Sequence, residues 1–388
     1  MAKYYLPDYS NCYVNMISSV AKKFKVETGH NTLKEVDEIL KSPTKNIVVM
    51  LLDGMSEDII KNNLPEDSFL RKNTIKQITS IFPTTTTAGT MSYKTGLTPI
   101  EHGWLSLFLY FKEVGESVNL YLNTGAYSRK PTILPNIAQN VLGFCNIFEK
   151  IEEKTKGKVK AYGVSIKEAR DLFGNITQIT YDTFSEMCEL LKTLCSLDDK
   201  KVIYAYHNNP DNTMHHYGPH SDEVKNLLLE IDAEIENLAK NCPDTTFLIS
   251  ADHGQSYVEK VFDLHDYPDL DNTLSMPPTG GPRAFNLFVK KGKEKEFKKL
   301  VKKYFKDEFV LFSKKEVLKM NLFGTGTPHP KCDDFFGDFW LVSIGKANLC
   351  YTTMYKQSTA QPIGAHGGLT KEEIFLPLIA YKNIEKAN

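Results

Sequence analysis

Six residues carry the side chains a divalent cation favours, and each stands where a strand end or turn would present it: Asp53, Asp211, His215, Asp252, His253 and His366. Carboxylates and imidazoles suit zinc, with manganese or iron as alternatives, and six such ligands serve two ions. Taken singly, none is diagnostic. Asp211 and His215 would share one face of a helical turn after Pro210, but pairs at that spacing more often form a solvated face or a cap. Asp252-His253-Gly254 and Gly364-Ala365-His366-Gly367-Gly368 each read in isolation as turns. Taken together they point to metal, because gathering so many acids without cations is costly in repulsion and desolvation. A nucleophile is available in Phe82-Pro83-Thr84-Thr85-Thr86-Thr87-Ala88-Gly89-Thr90, a run of hydroxyls directly before an expected helix that ends near Thr95-Gly96. The free N–H groups of a helix start accommodate phosphate, and a metal ion lowers the pKa of a coordinated hydroxyl. Most of these threonines need be no more than β-formers and caps.

The elements that must position these groups are legible as apolar runs. Asn46–Leu52 (NIVVMLL) has the continuous β-branched character of a strand buried on both faces, and it stops at Asp53-Gly54. Residues 201–207 (KVIYAYH) lead into Asn-Asn-Pro-Asp, and Thr245–Ser250 (TTFLIS) leads into Ala-Asp-His-Gly. Between them, Val224, Leu227, Leu228, Ile231, Ile235 and Leu238 fall at helical spacing over 221–240, opened by Ser221-Asp222-Glu223. Such a strand, helix, strand unit builds a parallel sheet, and ligands gather beyond the carboxyl ends of its strands. Residues 101–200 are less regular, with an aromatic stretch (Trp104, Phe108, Tyr110, Phe111), a strand expected at 158–164 and a helix at 185–197. A covering lobe within about 104–200 is the expectation, inside a single catalytic domain spanning 1–388. A strand at 284–290 and a lysine-rich amphipathic segment at 293–305 follow. No repeat or low-complexity linker marks a boundary.

Composition narrows the partners. With 388 residues, 41% of them hydrophobic, the chain can bury a large core. Lysine plus arginine total 47 against 48 acids, so no global field attracts a nucleic acid polymer or an anionic membrane surface. Only Arg71, Arg129, Arg170 and Arg283 could clamp a phosphate in bidentate fashion. The N-terminus lacks a signal-peptide pattern and no apolar run is long enough to span a bilayer, which predicts a cytoplasmic protein. The cysteines (Cys12, Cys145, Cys188, Cys195, Cys242, Cys332, Cys350) are odd in number and without paired close spacing, so reduced thiols are expected, and any metal falls to histidine and carboxylate.

In order along the chain, VVMLLDG, FPTTTTAGT followed by TGLTPIEHGW, PDNTMHH, SADHG and GAHGG resemble the motifs of the type I phosphodiesterase/nucleotide pyrophosphatase family of the alkaline phosphatase superfamily. The resemblance runs over about residues 46–378. It implies an α/β fold, an alkaline phosphatase-like three-layer sandwich with a mostly parallel central sheet and a smaller inserted or covering lobe. It also implies one ion held by Asp53, a threonine, Asp252 and His253, and another by Asp211, His215 and His366. The family's Pro-Thr-x-Thr pattern falls on residues 83–86, making Thr86 the nucleophile, with Thr85 as fallback. In-line attack on phosphorus, a phosphothreonine intermediate and its hydrolysis by water then follow.

The chain departs from the family at Leu107, where better-known members place an asparagine that donates to a phosphoryl oxygen; the metals with the Thr86 N–H, or Ser106, would have to substitute. Trp104, Phe108 and Tyr110 could flank a base, an acyl or an aryl group, although aromatic clusters are more often core. His102, His216 and Tyr217 border the motifs, as orienting partners or structural residues. The expected substrate is a small-molecule phosphate ester or a nucleotide-like compound. The leading reading is a phosphodiesterase/nucleotide pyrophosphatase. The alternatives are a phosphomonoesterase, phosphonate hydrolase or phosphomutase on the same scaffold and, more remotely, a non-catalytic binding protein.

Overall fold

Every residue of Asn46–Leu52 is buried, which accounts for its uninterrupted apolar character. In the computed structural model, which describes residues 3–143, 145–167, 174–351 and 362–384, this strand lies at the middle of a seven-stranded sheet. The order is Thr74–Thr79, Phe375–Asn383, Thr245–Ser250, Asn46–Leu52, Lys200–His207, Val159–Ile166 and Thr177–Tyr181. Asn46–Leu52 pairs in parallel with both neighbours, setting Leu52 beside His207 and Leu51 beside Ser250, so three strands end level with one another. Phe375–Asn383 is the reversed strand, antiparallel to both Thr74–Thr79 and Thr245–Ser250. The crossover expected between residues 207 and 245 is present as the Asp222–Lys240 helix. Ser221 caps it by accepting the Val224 N–H, and Val224, Leu228, Ile231, Ile235 and Leu238 are buried.

A second seven-stranded sheet is antiparallel throughout: Phe309–Ser313, Phe339–Ser343, Ala284–Leu287, Thr279–Gly281, Phe108–Phe111, Glu116–Asn119 and Thr124–Gly125. Side chains alternate across it. Trp340 and Val342 join one apolar cluster, while Phe339 and Leu341 join another.

The stretch 104–200 is therefore divided. Its first part, at 108–125, enters the antiparallel sheet with partners from 279–343, whereas Val159–Ile166, Thr177–Tyr181 and the Phe184–Ser196 helix complete the main sheet and its core. The join is a long-range contact, Gly280 beside Phe108, which no local pattern announces. The expected strand at 284–290 is shorter, Ala284–Leu287, and the amphipathic segment forms the Glu294–Phe305 helix with Phe297, Val301 and Phe305 buried.

Candidate active site

The three level strand ends are laced to one another. The Asp53 N–H donates to the His207 carbonyl at 2.9 Å, and the Asp211 N–H donates to the Asp53 carbonyl at 2.9 Å. Gly54, at φ +76°, makes the sharp exit, and a Cβ there would lie 2.7 Å from Met214 Cε and 3.0 Å from Asp211 Cα. The helix Thr86–Thr95 rests on the third strand end. A Cβ on Gly89 would fall 2.6 Å from Asp252 Cβ, so only glycine lets the helix approach this closely. Its first residue, Thr86, places Oγ1 3.1 Å from His253 Nε2 and 3.4 Å from Asp53 Oδ1. The neighbouring threonines face elsewhere. The Thr84 hydroxyl donates to the Gly368 carbonyl and accepts the Gly367 N–H, each at 3.0 Å, and the Thr85 hydroxyl is buried without a hydrogen-bond partner.

Three imidazoles are held the same way. His253 Nδ1 lies 3.1 Å from the Gly254 carbonyl, His215 Nδ1 2.8 Å from that of Gly364, and His366 Nδ1 2.9 Å from that of Thr84. A carbonyl can only accept, so each Nδ1 carries a proton and, in the neutral ring, the lone pair falls on Nε2, the tautomer that suits a metal-ligating histidine. His253 Nε2 is 3.4 Å from both Asp53 Oδ1 and Asp252 Oδ2, and His215 Nε2 is 3.2 Å from Asp211 Oδ2. The rings of His253 and His366 stack with centroids 3.8 Å apart. Ligating atoms within 4.8 Å of one another form two groups, Asp53 with Asp252 and His253, and Asp211 with His253 and His366. His253 belongs to both, and His215 stands beside the second with its ring centroid 5.2 Å from that of His366.

The charges of this cluster are unbalanced without a cation. Burial, then the nearby Asp252 and Asp211, push the Asp53 carboxyl well above the usual range. Burial, then Asp211, raise Asp252 to about 7, and its Oδ2 is buried with no hydrogen-bond partner. Burial would also raise Asp211, but His215 and His366 outweigh it and hold that acid below its ordinary value. Burial keeps His253 and His366 neutral, at about 4 and 3, whereas at His215 the facing Asp211 overcomes burial and lifts the ring to about 8. Repelling acids, an orphaned carboxylate oxygen and convergent imidazole lone pairs make a donor set that fits divalent cations.

All seven residues singled out in the sequence meet here: Asp53, Thr86, Asp211, His215, Asp252, His253 and His366. Others do not. Leu107 packs against the core of the antiparallel sheet, and the buried Ser106 hydroxyl has no hydrogen-bond partner among the described residues. His102 accepts the Trp104 N–H at Nδ1 and lies 3.0 Å from Ser92 Oγ through Nε2, so it braces a turn. Phe108 and Phe111 are core residues, while His216 and Tyr217 are exposed. Trp104 is buried and lines a cleft with Thr90, Met91, Lys94 and Tyr121 on the flank of the Thr86–Thr95 helix. As for the possible phosphate clamps, Arg71 donates to the Leu64 carbonyl, Arg283 is buried in a two-pronged pair with Glu373, Arg129 is exposed, and Arg170 lies outside the described residues.

Two contacts escaped the sequence reading: Tyr206, whose hydroxyl donates to Asp53 Oδ2 at 2.7 Å, and Gln255, whose Nε2 donates to the Asp211 carbonyl at 3.0 Å and also to Asp211 Oδ1. A tyrosine near the end of a strand buried from Lys201 onward needs a partner for its hydroxyl, and that was the available signal.

A mostly parallel sheet whose carboxyl edge gathers acids, imidazoles and a helix-borne hydroxyl is the architecture of a hydrolase of the alkaline phosphatase superfamily. The type I phosphodiesterase / nucleotide pyrophosphatase family matches residues 47–369, and the chain belongs to that family. Human ectonucleotide pyrophosphatase/phosphodiesterase family member 7 is 28% identical over 83 residues, a match spanning 19% of this chain and only 18% of that protein. Among solved structures, murine ectonucleotide pyrophosphatase / phosphodiesterase 5 superposes with a TM-score of 0.64 at 18% identity, covering 87% of this chain and 90% of that one. An inactive form of it is in complex with AMP. Phosphonoacetate hydrolase from Sinorhizobium meliloti 1021, in complex with phosphonoformate, gives 0.61 at 17% identity over 89% and 91%. At these identities the likeness is one of fold.

Proposed function

We propose that this protein is a phosphodiesterase dependent on two divalent cations, with Thr86 as nucleophile and zinc as the preferred metal, manganese or iron being the alternatives. The observation that carries the reading is the Thr86 hydroxyl, set on the first residue of a helix and within 3.4 Å of both an acid and an imidazole of the cluster. Asp53, Thr86, Asp252 and His253 would hold one ion, and Asp211, His215 and His366 the other. When bound, the ions supply a lowered hydroxyl pKa and neutralisation of phosphoryl charge. Thr86 Oγ attacks phosphorus in line with the departing ester oxygen, and water then displaces the threonine to restore the hydroxyl. The helix start around Thr86 offers N–H groups to the phosphoryl oxygens. The three Nδ1–carbonyl bonds keep each ring in the tautomer and orientation that ligation needs.

A diester fits better than a monoester. The extra charge of a monoester calls for an added cation, and of the arginines among the described residues Arg71 and Arg283 are engaged elsewhere and Arg129 is exposed. Nucleotide-like diesters are the preferred class by kinship with the family. Seven free cysteines support residence in a reducing compartment such as the cytoplasm; among the described residues, no helix is long and apolar enough to cross a membrane.

The test is hydrolysis of p-nitrophenyl phosphate, bis-p-nitrophenyl phosphate and p-nitrophenyl thymidine monophosphate by metal-reconstituted protein, with and without chelator. Chelator-sensitive preference for the two diesters is expected. Preference for the monoester would replace this reading with a phosphatase or mutase.

A further inference from the structure

Each of the three acids in the cluster has one oxygen engaged by a protein donor and the other turned toward an imidazole. Asp252 Oδ1 accepts the N–H groups of Gly54 at 3.3 Å and His253 at 3.0 Å, which leaves Oδ2 without a hydrogen bond, 3.4 Å from His253 Nε2. Asp53 Oδ2 accepts the Tyr206 hydroxyl at 2.7 Å, leaving Oδ1 facing Thr86 Oγ1 and His253 Nε2. Asp211 Oδ1 accepts from Gln255 Nε2, leaving Oδ2 3.2 Å from His215 Nε2; His366 Nε2 stands farther off, 3.8 Å from Oδ1. For Asp252 the donors are backbone amides, fixed by the turn. For the other two they are side chains that the chain has placed there.

We infer that Tyr206 and Gln255 are positioning residues, each committing one ligand carboxylate to a single metal-facing oxygen, Asp53 Oδ1 and Asp211 Oδ2 respectively. The inference rests on the two-cation reading above. Tyr206 has a single hydroxyl proton, and at 2.7 Å it goes to Asp53. Both Nε2 protons of Gln255 go to one residue, the carbonyl and carboxylate of Asp211, which ties that carboxylate to its own backbone; the side chain is 1% exposed, so no water competes. A carboxylate with one oxygen so occupied would favour ligation through the other. One-oxygen ligation keeps coordination numbers low, as zinc favours, whereas a carboxylate released from its donor can turn both oxygens to the ion.

Metal affinity and geometry therefore test the idea without recourse to turnover. Tyr206→Phe and Gln255→Leu are titrated as whole metal-free proteins with zinc against a chromogenic chelator, and with cobalt(II), whose visible absorption weakens as coordination number rises. Tyr206→Phe should weaken one of two binding events by about 10- to 100-fold and Gln255→Leu the other, each with weaker cobalt absorption per bound ion. Should either variant fail to fold as judged by circular dichroism, Tyr206→Met or Gln255→Glu takes its place. Unchanged affinities and spectra, or equal weakening of both events by each variant, would overturn the inference. Unmodified protein that takes up no zinc or cobalt would instead bring down the two-cation reading, and this one with it.

Discussion

Thr86 differs from Thr84, Thr85 and Thr87 in direction, not in chemistry. A sequence can supply four adjacent hydroxyls, but only the start of the helix at Thr86 turns one of them onto Asp53 and His253. The acids and imidazoles gathered beside it were easier to read, since an acid or histidine directly after an apolar strand has few places to go. Each should matter separately. Asp211→Asn or His366→Ala is expected to lower bound metal by about one equivalent of two and to slow turnover with it, as read by mass spectrometry of desalted protein. Metal content equal to that of the parent would remove the residue from the ligand set. Tyr206 and Gln255 were not legible, because a hydroxyl in a strand and an amide after a turn have no characteristic spacing to the acids they serve. Leu107 shows the reverse: its departure from the family pattern was visible, and the structure packs it, half-buried, against the core of the antiparallel sheet.

At the level of elements, close approach does the positioning. Gly89 lets the Thr86–Thr95 helix lie against Asp252, and Gly89→Ala would drive a methyl to 2.6 Å from Asp252 Cβ. Overpacking of that kind costs about 1 to 3 kcal/mol and would lift Thr86 from the acids. We expect a lower Tm together with reduced turnover on a diester; an unchanged rate would show that the seat of this helix is not critical. The loop bearing His366 is locked from behind. The Gly368 N–H donates to Glu373 Oε1 at 2.8 Å, and Glu373 is paired with Arg283, both side chains 0% exposed. Arg283→Met leaves Glu373 charged and unpaired in the interior, a loss of about 3 to 5 kcal/mol measurable by urea unfolding. From sequence alone Arg283 could be offered as a phosphate clamp. Only its place in the turn between Thr279–Gly281 and Ala284–Leu287, where its carbonyl accepts the Ser343 N–H and its guanidinium meets Glu373, shows why it points inward instead.

Over the whole molecule, the main sheet was the legible part and the antiparallel sheet was not. Asn46–Leu52, Thr245–Ser250 and the helix between residues 221 and 240 announce themselves by apolar periodicity, and the crossover sets Lys200–His207 and Thr245–Ser250 parallel on either side of Asn46–Leu52. The second sheet joins 108–125 to 279–343, and its strands carry no local sign of that union. The accumulated charge at the sheet edge also has a global consequence. Without metal, Asp252 has a folded pKa of about 7, above the ~3.9 of the unfolded chain, and His215 about 8, above ~6.5. Both folded values are raised, so their contributions are full below the unfolded pKa values and are lost as pH rises through 7 and 8. His253 and His366 run the other way, but only below about pH 6.5, where their unfolded forms take up protons. Metal-free protein should therefore lose thermal stability between about pH 6.5 and 8.5, and saturating zinc should abolish that loss. A metal-free Tm that is flat across this window would contradict the charge account.

The central claim is that Thr86 performs the chemistry while the acids and imidazoles hold the metals, and the Thr86→Ala variant separates the two. Its turnover of bis-p-nitrophenyl phosphate should fall by at least about a thousand-fold while two equivalents of metal remain bound. Turnover close to that of the parent, with metals in place, would remove Thr86 from the mechanism and contradict the account.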